Sequence, residues 1–119
     1  MPTLLIGERE HRLYPLEPDK IDYIASDGNY VSIHSGRTNY ISRDSLKRLA
    51  GQLAGFGFIR IERSLLVNIR AVLYAESAGR GRFAFTLTCG ACVQSSASYR
   101  GAILQALPLA AATGRGACQ

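Results

Sequence analysis

Residues 57–68 read Gly-Phe-Ile-Arg-Ile-Glu-Arg-Ser-Leu-Leu-Val-Asn, and this stretch decides the fold. Two apolar runs flank the polar pair Arg63-Ser64, which predicts two strands joined by a short polar junction. The guanidinium of Arg63 offers five N–H donors and Ser64 offers a hydroxyl, a combination that suits a base edge and a neighbouring phosphate. A surface arginine paired with Glu62 is the structural alternative, and the residues alone leave it open.

Strand-like runs separated by turn residues continue on both sides of this stretch. The predicted strands are Thr3–Ile6, His11–Leu16, Ile21–Ser26, Tyr30–His34, Thr38–Ser42, Phe58–Ile61, Leu65–Val67, Val72–Ala78, Arg82–Thr88 and Ala91–Val93. Residues that tolerate positive φ lie between them in Asp27-Gly28-Asn29, Ser35-Gly36 and Ala78-Gly79-Arg80-Gly81. The chain is therefore predicted to be mostly β.

Two stretches change to a helical period of apolar residues. The first comprises Leu46, Leu49, Ala50 and Leu53, and the second comprises Tyr99, Ala102, Ile103, Ala106 and Leu107. Asp44 or Ser45 is the N-cap candidate of the first helix. Ser96 or Ser98 has that place in the second helix, which Pro108 ends. We expect both short helices to cover a sheet face.

Length and composition indicate one folded domain. The chain has 119 residues, of which 47% are hydrophobic and 19% charged, and this excludes the composition of disordered proteins. Its net charge of +5 is uneven, because residues 1–44 hold seven acids and five bases while residues 45–119 hold two acids and nine bases. Twelve of the fourteen bases are arginine, which suits a polyanionic partner. Codon bias toward arginine is the alternative explanation.

Other function classes find little support in the sequence. It has no apolar run of membrane-spanning length and no secretory signal pattern, so we expect a cytoplasmic protein with no membrane contact from this segment. The acids are scattered, and neither a nucleophile elbow nor a P-loop is present, so we expect no enzyme. Cys89 and Cys92 form a CxxC pair at a predicted hairpin tip, and we expect neither a metal site nor a cofactor. The Gly- and Ala-rich residues 108–119 are expected to form a flexible tail after a domain of residues 1–107.

The order of four motifs resembles the LytTR DNA-binding domain. They are Asp19–His34, the Ser45-Leu46 helix start, Phe58–Asn68 and the terminal Ser96-x-x-Tyr99 helix. The resemblance runs from about residue 3 to residue 107. It implies a mostly β fold, an elongated stack of small antiparallel β-sheets with two short helices. It also implies sequence-specific binding of double-stranded DNA by a bacterial transcriptional regulator, through loops inserted in the major groove.

The resemblance assigns DNA contacts to three loops. The first maps to Asn29, whose amide can read adenine. The second maps to Glu62-Arg63-Ser64, where Arg63 would make the main base contact. The third is the segment before the last helix, followed by Arg100. The residues expected to contact DNA are Asn29, Arg63, Ser64, Ser96, Ser98 and Arg100. The resemblance also makes repeated DNA sites an expectation, with two protomers bound to them as a homodimer.

Two departures from the family pattern bear on this function. Glu62 stands where histidine is usual, and its charge either orients Arg63 or weakens phosphate binding. Ala97 and Ser98 replace the two arginines of the third motif. The alternative function is therefore a protein- or peptide-interaction module of a signalling protein, with weak or no DNA affinity.

Overall fold

The computed structural model describes residues 4–107, and within them the chain forms ten strands and two α-helices. The strands are β1 Leu5–Arg9, β2 Arg12–Leu16, β3 Tyr23–Asp27, β4 Tyr30–Ser35, β5 Thr38–Ser42, β6 Phe58–Glu62, β7 Leu65–Asn68, β8 Val72–Gly79, β9 Arg82–Leu87 and β10 Cys92–Gln94. The helices are α1 Leu46–Leu53 and α2 Arg100–Ala106. The structure measures 42 × 26 × 26 Å. The expected mostly β fold with two short helices is confirmed.

The strands form two antiparallel sheets. A seven-stranded sheet has the order β2-β1-β5-β4-β3-β7-β6, and a three-stranded sheet has the order β10-β9-β8. The register places Ala25 of β3 opposite Leu65 of β7 and Val31 of β4 opposite Ser42 of β5. The β3–β4 turn, the start of β7 and the end of β5 consequently lie at the same end of the strands of the larger sheet.

Two hydrophobic clusters hold the molecule together. The first lies between one face of the seven-stranded sheet and α1, and the second lies between β6 and β7, the three-stranded sheet and α2. Leu66 belongs to the first cluster and the neighbouring Val67 to the second. Because β7 is buried on both faces, its apolar residues follow one another without alternation.

Helix α1 forms where the apolar spacing predicts it. Ser45, rather than Asp44, is the N-cap, and its side chain accepts a hydrogen bond from the Arg48 N–H at 3.1 Å. Leu46, Leu49 and Leu53 are buried against the sheet. The predicted cover of a sheet face is confirmed for this helix.

The first hairpin differs from its prediction. Strand β1 runs through Gly7 to Arg9 instead of ending at residue 6, because residues 7–9 pair with residues 12–14 of β2. A Cβ at Gly7 would lie 2.6 Å from the Cβ of Tyr40. Gly7 therefore permits a close approach of two strands and marks no turn. The turn lies at Glu10 and His11, whose φ angles are +53° and +66°, so β2 begins one residue later than predicted.

The second helix also begins later than its apolar stripe suggests. Residues Ala97–Tyr99 form a 3-10 turn, and α2 starts at Arg100 with no side-chain cap from Ser96 or Ser98. The hydroxyl of Ser96 instead lies 3.1 Å from that of Ser98. The predicted stop at Pro108 and the predicted tail lie outside the described residues.

Candidate nucleic-acid interface

Three loops meet at one edge of the molecule, which we call the loop edge: the Gly28-Asn29 turn, Glu62–Ser64 and Ser96–Ser98. Two backbone hydrogen bonds hold them next to one another, and each joins a residue of one loop to the strand that precedes the neighbouring loop. The Ser26 N–H donates to the Ser64 carbonyl at 2.9 Å, and the Ser96 N–H donates to the Ile61 carbonyl at 2.9 Å. Residues from three distant parts of the sequence therefore form a continuous row.

The first loop is a two-residue turn between β3 and β4. Gly28 has a φ of +64°, and Asn29 is exposed at its tip. An open groove of about 520 Å³ lies beside the turn, and Asn29, Tyr30 and Arg43 are among the residues that line it. The Asn29 amide is consequently free to meet a ligand at the surface.

The second loop is shaped by a β-bulge. The register between β6 and β7 shifts from Arg60 opposite Leu66 to Glu62 opposite Leu65, which leaves an extra residue in β6. The guanidinium Nη2 of Arg60 donates to the Arg63 carbonyl at 2.7 Å. The Arg63 residue is exposed and forms no ion pair within residues 4–107. Its donors are therefore available to a partner.

The side chain of Glu62 accepts hydrogen bonds from Ser64 and not from Arg63. Its Oε2 accepts the Ser64 N–H at 2.9 Å and the Ser64 hydroxyl at 2.6 Å. Hydrogen bonds from the side chain and the backbone of Ser64 lower the pKa of the Glu62 carboxyl. Because both donors of Ser64 are used in this way, its hydroxyl oxygen can act toward a further partner only as an acceptor. The ion pairs of the described residues do not include Arg63 with Glu62, which was the structural alternative that the sequence left open.

The third loop presents hydroxyl groups without charge. The Tyr99 N–H closes the 3-10 turn on the Ser96 carbonyl at 3.1 Å, and both Ala97 and Ser98 are exposed. Arg100 follows on α2, and its guanidinium carbon lies 5.8 Å from the centre of the Phe83 ring. That distance is typical of a cation–π contact, so Arg100 is held over β9 beside the loop edge.

Arg43 is a basic residue at this edge that the sequence did not reveal. It follows β5 directly, its side chain is 86% exposed, and its Nε lies 3.2 Å from Oε1 of Glu8. No local motif distinguishes Arg43 from the other arginines. Only the β4–β5 register, which places Ser42 opposite Val31, brings it near Asn29.

The other candidate groups lie away from the loop edge. The His34 ring stacks on Tyr23 with centroids 4.2 Å apart, and burial lowers the pKa of His34. Cys89 and Cys92 are free thiols in the β9–β10 hairpin, where the sequence placed a hairpin tip. Within residues 4–107 no three His, Cys, Asp or Glu side chains are grouped as metal ligands. The same part of the chain has no helix long and apolar enough to cross a membrane.

Comparison with known proteins places these observations in a family. Residues 11–107 match the family described as LytTr DNA-binding domain. The sensory transduction protein LytT of Oceanobacillus iheyensis is 32% identical over 69 residues, which are 57% of this chain and 28% of that protein. The LytTr DNA-binding domain of a methyl-accepting/DNA response regulator from Bacillus cereus has a TM-score of 0.85 at 18% identity, covering 91% of this chain and 99% of that domain. The likeness in structure supports the same fold, and the chain spans just over a quarter of the length of the curated relative.

Proposed function

The chain belongs to the LytTR family of DNA-binding domains, and from that premise we propose that it binds duplex DNA sequence-specifically within a bacterial transcriptional regulator. The loop edge enters the major groove, the groove in which all four base pairs present distinct patterns of donors and acceptors. The family is one of DNA-binding domains and not of enzymes.

One observation carries this proposal: the loops that hold Asn29, Arg63 and Ser98 form one row joined by backbone hydrogen bonds. Side chains that read neighbouring bases must be held at fixed spacing on a rigid support. Bonds between Ser26 and Ser64 and between Ile61 and Ser96 supply that support. Polar side chains of scattered sequence position are in this way aligned for one ligand.

The proposed roles follow from side-chain chemistry. The planar guanidinium of Arg63 suits the O6 and N7 acceptors of guanine, and the amide of Asn29 suits adenine. Ser64, whose donors are bound to Glu62, accepts from a base amino group instead of donating to a phosphate. Ser96, Ser98 and Arg100 contact the sugar-phosphate backbone and fix the orientation of the protein.

Paired binding sites are part of the proposal. The molecule measures 42 × 26 × 26 Å, so one copy covers on the order of one turn of B-DNA, ~34 Å. Two copies on repeats, bound as a homodimer on DNA, would read a longer operator than one copy.

Selection of bound duplexes from a random library tests this function, followed by fluorescence anisotropy on the selected duplex and on a shuffled one. We expect one enriched motif, and affinity for the selected duplex that exceeds affinity for the shuffled duplex. Equal affinity for both would overturn sequence specificity. If no duplex is bound even at low salt, the domain is an interaction module of a signalling protein instead.

A further inference from the structure

The tip of the β8–β9 hairpin is a basic projection that the three-loop interface does not include. Gly79, Arg80 and Gly81 have φ angles of +85°, +57° and +79°, so three successive residues are left-handed. Arg80 lies within this turn and Arg82 begins β9 directly after it, and both are exposed. Two cations are therefore held on a tight, sharply defined turn.

This tip packs directly against the third loop. A Cβ placed on Gly81 would lie 3.4 Å from Cδ of Arg100 and 3.5 Å from Cβ of Ala97. Two hydrogen bonds between Phe83 and Ser95 fix this contact. The Phe83 N–H donates to Oγ of Ser95 at 2.9 Å, and the Ser95 N–H donates to the Phe83 carbonyl at 2.9 Å. The hairpin tip consequently lies next to the third loop.

The charge of this region is uncompensated. Within the described residues, Arg80, Arg82 and Arg100 form no ion pair, whereas Arg43 and Arg48 near the other end of the loop edge each face a carboxylate. The ring of Phe83 supports the Arg100 guanidinium without using its N–H donors. Arg100 therefore lies beside the uncharged Ala97-Ser98 segment, and Arg80 and Arg82 flank Gly81, which packs against Ala97.

We propose that the β8–β9 tip is a fourth element of the DNA interface, in which Arg80 and Arg82, with Arg100 beside them, contact phosphates next to the bases read by the other loops. This inference rests on the proposed function. Phosphates are the ligand because they continue along the edge of the groove past any base contact, and arginine binds them through paired N–H donors. The tip thereby supplies the positive charge that Ala97 and Ser98 lack.

The double variant Arg80→Gln, Arg82→Gln tests the proposal against a control of equal charge, Arg12→Gln, Arg37→Gln. Arg37 lies in the turn at the other end of β4, and Arg12 begins the outermost strand of the large sheet. Anisotropy titrations of the full chain are made over a range of salt, on the selected duplex and on a shuffled one. Each lost phosphate contact reduces the slope of log K against log salt by about 0.9.

We expect the tip variant to lose affinity for both duplexes by the same factor and its salt slope to fall by about 2, with little change in the control. Equal effects of the two double variants would overturn the proposal while leaving the proposed function in place. If wild-type protein binds neither duplex, the proposed function itself fails. Unchanged circular dichroism and melting temperature of both variants show that the comparison is between folded proteins.

Discussion

At the scale of the residue, Arg63 should carry sequence preference. Its guanidinium is exposed at the turn while its carbonyl is fixed by Arg60, so the side chain starts from a defined position. We expect Arg63→Ala to weaken binding of the selected duplex by about 1–3 kcal/mol and to leave binding of a shuffled duplex much less affected. Anisotropy titrations of both duplexes measure the difference. Arg37→Ala, at the opposite edge, is the control, and an equal loss on both duplexes would assign Arg63 to the phosphates.

Glu62 should contribute stability that depends on pH. The carboxyl accepts two hydrogen bonds from Ser64, and these lower its pKa from an ordinary value of 4.5. A lowered pKa in the folded state gives a contribution that is complete above the unfolded value and is lost as the pH falls through the folded value. We expect Glu62→Gln to reduce the free energy of unfolding by less than about 1 kcal/mol at neutral pH.

Urea denaturation at neutral pH and below the lowered pKa of Glu62 measures this effect. The difference between wild type and Glu62→Gln should shrink in acid, because the wild-type carboxyl is then protonated as well. Glu76→Gln, on the exposed face of β8, is the control. A difference that is the same at both pH values would mean that the carboxylate does not hold the turn.

The sequence predicts Arg63 and Ser64 as DNA contacts but could not give the partner of Glu62. The alternation of residues 57–68 predicts where the two strands separate, and any polar pair at that point is exposed. Whether Glu62 meets Arg63 or Ser64 depends on the bulge between Arg60 and Glu62. A bulge of one residue changes the direction of every side chain after it, and the residue pattern does not encode it.

At the scale of the element, the sequence predicts strands and helices where local chemistry decides them. Helix α1 has both an apolar stripe and a serine cap, so its position follows from the sequence alone. The end of β1 does not, because Gly7 is required by the approach of Tyr40, a contact between residues far apart in the chain. The sequence does not predict the turn at Glu10 and His11 either, because these two residues adopt positive φ although neither is glycine.

The junction after β7 depends on one buried amide. Nδ2 of Asn68 donates to the Ile21 carbonyl at 2.9 Å, and its Oδ1 accepts the Arg70 N–H at 3.0 Å. Asn68→Ala leaves both backbone groups without these partners, so we expect the free energy of unfolding to fall by more than about 2 kcal/mol. Chemical denaturation measures the change.

Asn29→Ala is the matched variant, since Asn29 is exposed in a turn. It should change stability by no more than about 0.5 kcal/mol while weakening DNA binding. A large loss of stability in Asn29→Ala, or none in Asn68→Ala, would contradict this division between a binding amide and a structural amide.

At the scale of the whole molecule, net charge indicates a polyanionic partner but does not point to the surface that we propose for DNA binding. The basic excess lies in residues 45–119, yet Asn29 and Arg43 come from the acidic first part. Antiparallel pairing of β3 with β7 brings the two parts to the same edge. Long-range register, which no single stretch of sequence specifies, therefore decides which polar residues become neighbours.

The shared strand β7 should make the two hydrophobic clusters unfold together. Strand β7 contributes Leu66 to one cluster and Val67 to the other, so neither cluster can separate without disturbing that strand. Leu49→Ala opens a cavity in the first cluster and Leu87→Ala opens one in the second, because both side chains are fully buried. We expect each to lower the free energy of unfolding by about 2–5 kcal/mol.

Denaturant unfolding followed by far-UV circular dichroism and by tyrosine fluorescence measures the stability and the cooperativity of unfolding. Tyrosine is a usable probe because the chain has six tyrosines and no tryptophan. Both signals should follow one coincident transition in wild type and in each variant, shifted to lower denaturant in the variants. Leu13→Ala, at a side chain that is 67% exposed, should leave the midpoint nearly unchanged. If Leu87→Ala separated the two signals into successive transitions, the three-stranded sheet would unfold on its own, and the support that Ser96 receives from Ile61 would then be lost before the larger sheet opens.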